Sequence, residues 1–230
     1  MTFADQAIRF NELLHYTGAP LPEGIRIMNP FTDPAVMNLV RIFYHKYYND
    51  NQPRRLILGI NPGRFGGGLT GIPFTDPKRL VQVCNIPYEG KVTHEPSSVF
   101  IYEMIAAYGG PEAFYKDYYI SSPCPLGFTT VDATGKEKNY NYYDSKALLE
   151  ATQNFMLDSL RQLIAMNVKT DVCFCLGTGK NEQHLNRLNA QHRFFGKIIA
   201  LEHPRYIMQY KTASKAQYIE KYLQALKSPL

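Results

Sequence analysis

Tryptophan is absent from the 230 residues, and cysteine occurs only four times, at Cys84, Cys124, Cys173 and Cys175. Those spacings match neither a paired zinc site nor a clustered iron–sulfur site. No apolar run reaches the roughly 18 residues a membrane span needs. Met1 to Phe10 carries Asp5 and lacks both a basic flank and an apolar core, so a signal peptide is not expected. A reducing, cytoplasmic setting is the expectation, nucleoid-associated if the source is bacterial. Charge of either sign is moderate: 25 basic against 20 acidic residues give a net +5. That permits a nucleic-acid partner without demanding one. The 17 tyrosines suit base-stacking surfaces, although tyrosine is also an ordinary core residue.

One absence decides against a nucleotide site. Gly63 to Thr70, GRFGGGLT, has the glycine and threonine spacing of a phosphate-binding P-loop, but Leu69 stands where the lysine belongs. Without that cation the loop loses its main hold on a triphosphate. Pro73 and Pro77 follow, so a helix starting directly after the loop is not expected. The surrounding stretch, Leu56 to Phe74, still dominates the chain. An apolar β-prone run breaks at Asn61-Pro62-Gly63 and continues through Gly66, Gly67, Gly68 and Gly71. This reads as a buried strand feeding a loop, and such strands place ligands at their carboxyl ends.

The remaining periodicities predict helices over 3–16, 33–49, 76–84, 97–108, 111–116, 144–166, 180–188 and 214–226. Strands are predicted at 56–58, 118–122, 171–176 and 197–202, with a polar, tyrosine-bearing loop at 129–141. Lys46 with Tyr47 and Tyr48 gives the second helix a polar, aromatic edge. Strands separated by helices of this length pair in parallel through right-handed crossovers. The expected fold is a three-layer α/β/α arrangement around a four-stranded parallel sheet, in a single domain over 1–230. The two helices within 1–50 pack on the same core.

A parallel sheet delivers its strand ends to one edge. There lie Asn61, Ser121 and Ser122, the Gly177–Lys180 turn, and His203. An amide is no base, so Asn61 can only orient a water or bond a substrate. His203 can donate a hydrogen bond to a developing anion. The pair suits a reaction whose leaving group departs early, such as N-glycosidic cleavage through an oxocarbenium-like sugar. Each piece also has a plainer reading: a packed histidine, a core Phe74, serines that only cap backbone.

GINPGRFGGGLTGIPF resembles the first motif of the single-strand-selective monofunctional uracil-DNA glycosylases, and LEHPRYIMQYK resembles their His-Pro motif. PSSVFIYEM, YYISSPCPLGF and VCFCLGTGK fit between them in order, so the similarity spans roughly Leu56 to Lys211 and is greatest to a bacterial second-subfamily-like branch. The resemblance implies a uracil-DNA glycosylase fold, DNA with a damaged base as partner, and no cofactor or metal. It implies that Asn61 positions the attacking water and His203 stabilises the departing base. Phe74 would stack on that base, and main-chain groups around Ile60 and Gly63 would line the pocket. The segment after His203 would wedge into the duplex through Arg205, Tyr206, Met208 and Gln209, with Lys211 and Lys215 on neighbouring phosphates.

Three departures stand out. Ser122 occupies the position where the family reads the pyrimidine edge with an asparagine, which opens the pocket to oxidised uracils or to deaminated purines such as xanthine. Arg64 replaces a proline and adds a cation for a phosphate. The wedge differs from the usual Ser-Pro-Arg pattern. No lysine lies beside Asn61 or His203 in the catalytic motifs, so strand-cleaving lyase activity is not expected. The alternatives weighed against a base-excision glycosylase are a catalytically inactive nucleic-acid-binding module of the same fold and a hydrolase of small N-glycosides.

Overall fold

The computed structural model describes residues 1–227. In chain order the elements are α1 (Phe3–Glu12), β1 (Arg26–Met28), α2 (Pro34–Tyr48), β2 (Arg54–Leu58), α3 (Gly67–Thr70) and α4 (Pro77–Gln82). Then come α5 (Pro96–Tyr108), α6 (Pro111–Asp117), β3 (Tyr118–Ser121), β4 (Gly127–Val131) and β5 (Glu137–Tyr140). The chain continues with α7 (Lys146–Ile164), β6 (Val168–Leu176), α8 (Lys180–His192), β7 (Lys197–Leu201), α9 (Pro204–Tyr210) and α10 (Lys215–Lys227).

The main sheet is parallel, in the order β3-β2-β6-β7, and is flanked by helices. Leu56 to Leu58 and Val172 to Leu176 are buried throughout, as strands covered on both faces must be. α1 and α2 contribute Phe3, Val40 and Phe43 to the same buried cluster as these strands. Arg54 anchors that junction from inside the protein. Its guanidinium lies 4.9 Å from the rings of both Phe3 and Tyr48, bonds both Asp50 oxygens at 2.8 Å and donates to the Tyr115 carbonyl. With the bond from Nη1 to the Gln52 carbonyl, four of its five N–H donors are used; a buried cation so paired is tolerable, and one without partners is not.

Several expectations are corrected. Residues 129–141 are not a loop: β4 and β5 form a hairpin, and β1 adds to it in a second, antiparallel sheet ordered β1-β4-β5. Its turn closes on Asp132, whose Oδ1 accepts from the N–H groups of Thr134 and Lys136, with Gly135 at φ 79°. A single helical turn, α3, does form inside the glycine-rich loop and stops at Gly71 in the left-handed region, φ 72°. α1 ends at Glu12 rather than Tyr16, with Leu13 as its cap residue, and the Tyr16 hydroxyl bonds the carbonyls of Ala19 and Ala151 instead. α5 begins at Pro96 with Glu95 as its cap residue, not at Ser97 or Ser98; the Ser98 hydroxyl instead accepts from the N–H of Asp76. Tyr47 and Tyr48 are buried rather than an edge, among Tyr44, Tyr115, Tyr118 and Tyr119, so much of the tyrosine serves the core. No helix among the described residues is long and apolar enough to cross a membrane.

Candidate active site

β2 ends at a glycine for a steric reason. Gly59 bonds back to the Ser121 carbonyl at 2.8 Å, and a Cβ on it would stand 3.0 Å from Cε2 of Phe74. Phe74 itself has φ 53°, a conformation costly for an aromatic residue and characteristic of functional loops. Its ring is thereby placed against the strand exit, 5.7 Å from the ring of His203.

Two residues on, the Asn61 amide is clamped at both ends by the segment that leaves β5. Its Nδ2 donates to the Tyr140 carbonyl and its Oδ1 accepts from the Tyr142 N–H, both at 3.2 Å. A primary amide has two N–H donors and two carbonyl lone pairs, so one donor and one lone pair remain for a ligand or water. The clamp is itself braced. Tyr142 donates its hydroxyl to Asn181 Oδ1 at 2.7 Å, and Asn181 Nδ2 donates to the carbonyls of Gly59 and Leu176. The buried Asn181 thus ties the ends of β2 and β6 to the small sheet that orients Asn61.

His203 caps α9. Its Nδ1 accepts from the Arg205 N–H at 3.1 Å, so the ring proton sits on Nε2. Burial, reinforced by the Arg205 charge, pushes its pKa down to about 4. At neutral pH the ring is therefore an uncharged Nε2–H donor.

Asn61, Phe74, Ser122 and His203 line one cavity of about 290 Å³, together with Ile60 and Gly63. The Ser122 hydroxyl donates to the Cys124 carbonyl at 2.8 Å, which leaves its oxygen free to accept. Arg205, Tyr206 and Gln209 form the cavity wall from α9. Lys211 is exposed just beyond. Three further residues expected at the DNA do not line the cavity itself. Met208 packs on the core, Lys215 is held by Glu103 at 2.6 Å, and Arg64 is held by Glu137 at 3.1 Å with its guanidinium over Phe65. Among the described residues no lysine lines the cavity.

Sequence reasoning missed six polar or aromatic lining residues: Glu95, Ser97, Asn139, Asn141, Tyr143 and Tyr210. Asn139, and with it Asn141 and Tyr143 just past β5, were hidden by reading the hairpin as a loop; the β-prone residues Phe128 to Val131 before the turn residues Asp132-Ala133-Thr134-Gly135 were the signal for it. Tyr210 is 64% exposed and pairs with Tyr206 at 5.6 Å, forming an aromatic rim. Among the described residues no group of three or more metal-ligating side chains occurs.

The uracil DNA glycosylase superfamily model matches residues 45–227. The chain belongs to that superfamily. The crystal structure of wild-type Pedobacter heparinus SMUG2 is 68% identical to it, with a TM-score of 0.98, covering 99% of this chain and 98% of that one. The family resemblance of the motifs is thus borne out, with the single-strand-selective monofunctional branch as the relevant one. No curated protein sequence matches. The superfamily and this neighbour support a uracil-DNA glycosylase role, and hence a hydrolase acting on DNA.

Proposed function

We propose that this chain, acting as a single domain, is a monofunctional DNA glycosylase that excises uracil and related deaminated or oxidised bases by hydrolysing their N-glycosidic bond. The observation that carries the reading is the fixed protonation of His203. With Nδ1 occupied by the Arg205 N–H and the ring neutral near pH 7, Nε2–H is held as a donor. Such a donor stabilises negative charge on a departing base and costs no reorganisation during the reaction.

The remaining roles follow from geometry and from family membership. The extruded base stacks on Phe74, and extrusion costs least for a mispaired or unpaired nucleotide. As the glycosidic bond lengthens, the base gains negative charge against His203 and the sugar becomes cationic. Asn61 cannot take a proton from water; its free lone pair orients one toward C1′, which is sufficient once the sugar is electrophilic. Ser122 presents an oxygen lone pair to an N–H on the base edge. Arg205, Tyr206 and Gln209, with Lys211 behind them, face the DNA strand around the vacated step. The absence of an amine from the cavity wall leaves no group to form a Schiff base, which supports a monofunctional enzyme.

The test is excision from labelled single- and double-stranded oligonucleotides carrying uracil, 5-hydroxymethyluracil, hypoxanthine or xanthine. Alkali-dependent cleavage, strongly reduced by Asn61→Ala and by His203→Ala, is the expected result. Retained DNA binding with no cleavage of any base by the parent protein overturns the reading in favour of a binding module. Faster hydrolysis of free nucleosides than of oligonucleotides overturns it in favour of a small N-glycoside hydrolase.

A further inference from the structure

The cavity contains an acid that the reaction above does not use. Glu95, the cap residue of α5, lines the same space as Asn61 and His203. Its Oε2 is sealed from solvent with no hydrogen-bond partner. No hydrogen bond to either oxygen of its carboxyl is present among the described residues, whereas its main-chain N–H is fixed to Asp76 Oδ2 at 2.9 Å. The motif loop makes room for it. A Cβ on Gly66 would stand 2.1 Å from Glu95 Oε2, and one on Gly63 would stand 3.3 Å from Oε1 and from Asn139 Nδ2. Two glycines of the loop carrying Asn61 are therefore shaped around this carboxyl.

The charges around it come from four elements. Asp76, at the cap of α4, is a carboxylate paired with Arg79 at 3.1 Å, and Arg79 also reaches His94 Nδ1 at 3.3 Å. Arg205 faces it from α9. Arg64, in the glycine-rich loop, is already neutralised by Glu137. Burial and Asp76 raise the Glu95 pKa to about 7, and Arg205 only partly offsets them. A carboxylate so placed would oppose both the DNA phosphates and a departing base anion; the neutral acid would oppose neither.

We propose that Glu95, as a protonated carboxylic acid, donates a hydrogen bond to the acceptor nitrogen of an extruded deaminated purine, and so extends the substrate range beyond uracil. The inference rests on the glycosylase reading and names a substrate class for it. In the pose proposed, with one base edge at His203 and another at Ser122, the third edge, which carries only C–H groups in uracil, faces Glu95 in the cavity that all three line. In a purine that edge carries N7, an acceptor. A donor there stabilises the charge gathering on a leaving purine and gives nothing to uracil.

Single-turnover excision of hypoxanthine and of uracil, measured from pH 5.5 to 8.5 on parent, Glu95→Ala and Glu95→Gln proteins, tests this. In the parent the hypoxanthine-to-uracil rate ratio falls as pH rises through about 7, approaching tenfold per unit above it. Glu95→Ala lowers that ratio tenfold or more. Glu95→Gln, which keeps an N–H donor but cannot titrate, restores most of the ratio and flattens its pH profile. A ratio unchanged by Glu95→Ala, or a parent ratio indifferent to pH, overturns the inference. Calorimetric binding of the free bases reads Glu95 without turnover: hypoxanthine affinity must weaken in Glu95→Ala more than uracil affinity. If the parent excises neither base, the glycosylase reading fails, while the free-base comparison still decides what Glu95 recognises.

Discussion

Replacing Glu95 by glutamine changes the shape of the side chain little and removes one titration, so its effect on folding can be worked out from the structure. Free glutamate titrates near 4.5, and burial beside Asp76 raises the folded value to about 7. Between those two values the folded protein holds a proton that the unfolded chain has released. The stability attached to this group is therefore fully present below about 4.5 and is lost as pH rises through 7. The gap converts to about 3 kcal/mol at ~1.4 kcal/mol per pH unit, an upper figure for an acid that also faces a wet cavity. For a domain of this size, about 1 kcal/mol moves Tm by roughly 2–4 °C. Glu95→Gln carries no such penalty at high pH. Thermal unfolding followed by circular dichroism from pH 5 to 8.5 should show the mutant gaining on the parent as pH rises. The relative gain should approach 5–10 °C, on the order of the conversion just given. Because the parent's other titrations cancel in the comparison, a Tm difference that stays constant across this range would refute the account of Glu95 as a neutral acid.

Other outcomes follow from the same geometry. His203→Ala removes one donor to a developing anion and should slow single-turnover excision about 10²–10³-fold with little change in DNA affinity; a loss confined to affinity would point to a binding role. Asn61→Asp keeps the acceptor for the Tyr142 N–H but turns an oxygen toward the Tyr140 carbonyl, so excision should fall by about tenfold or more, the equivalent of one lost hydrogen bond of 1–3 kcal/mol. Gly66→Ala drives a methyl group into the carboxyl of Glu95, the end of a flexible side chain, and should destabilise by about 1 kcal/mol, the low end of overpacking; in a Glu95→Ala background that clash is gone, and denaturant unfolding of the four proteins in the cycle measures the coupling. Arg54→Met leaves the bonds at Asp50 and Tyr115 unmade and should cost about 3–5 kcal/mol in urea unfolding without altering the pH profile of excision.

The parallel sheet was legible because its strands are short apolar runs closed by glycine, proline or serine, and each also ends where a candidate residue was expected. Asn61 and His203 were legible for the same reason, since strand ends in such a sheet meet at one edge. What was not legible is how those residues are held. The clamp on Asn61 is made by main-chain groups of Tyr140 and Tyr142, about 80 positions away in the chain, and main-chain groups leave no trace in residue identity. The hairpin that presents them is polar on both faces for much of its length, and without an apolar alternation it reads as a loop. Glu95 was missed through a local competition. Serine is a better helix cap than glutamate, so the sequence reads as a helix starting at 97, whereas Pro96 at the first helical position makes Glu95 the cap. That choice has a functional side. A serine cap would bond the first turn of its own helix, whereas glutamate leaves that turn uncapped and sends its carboxyl into the cavity without a partner. The sequence thus gives up about 1 kcal/mol of ordinary helix capping at the point where the site gains an ionisable group, and local rules tend to fail at sites of this kind.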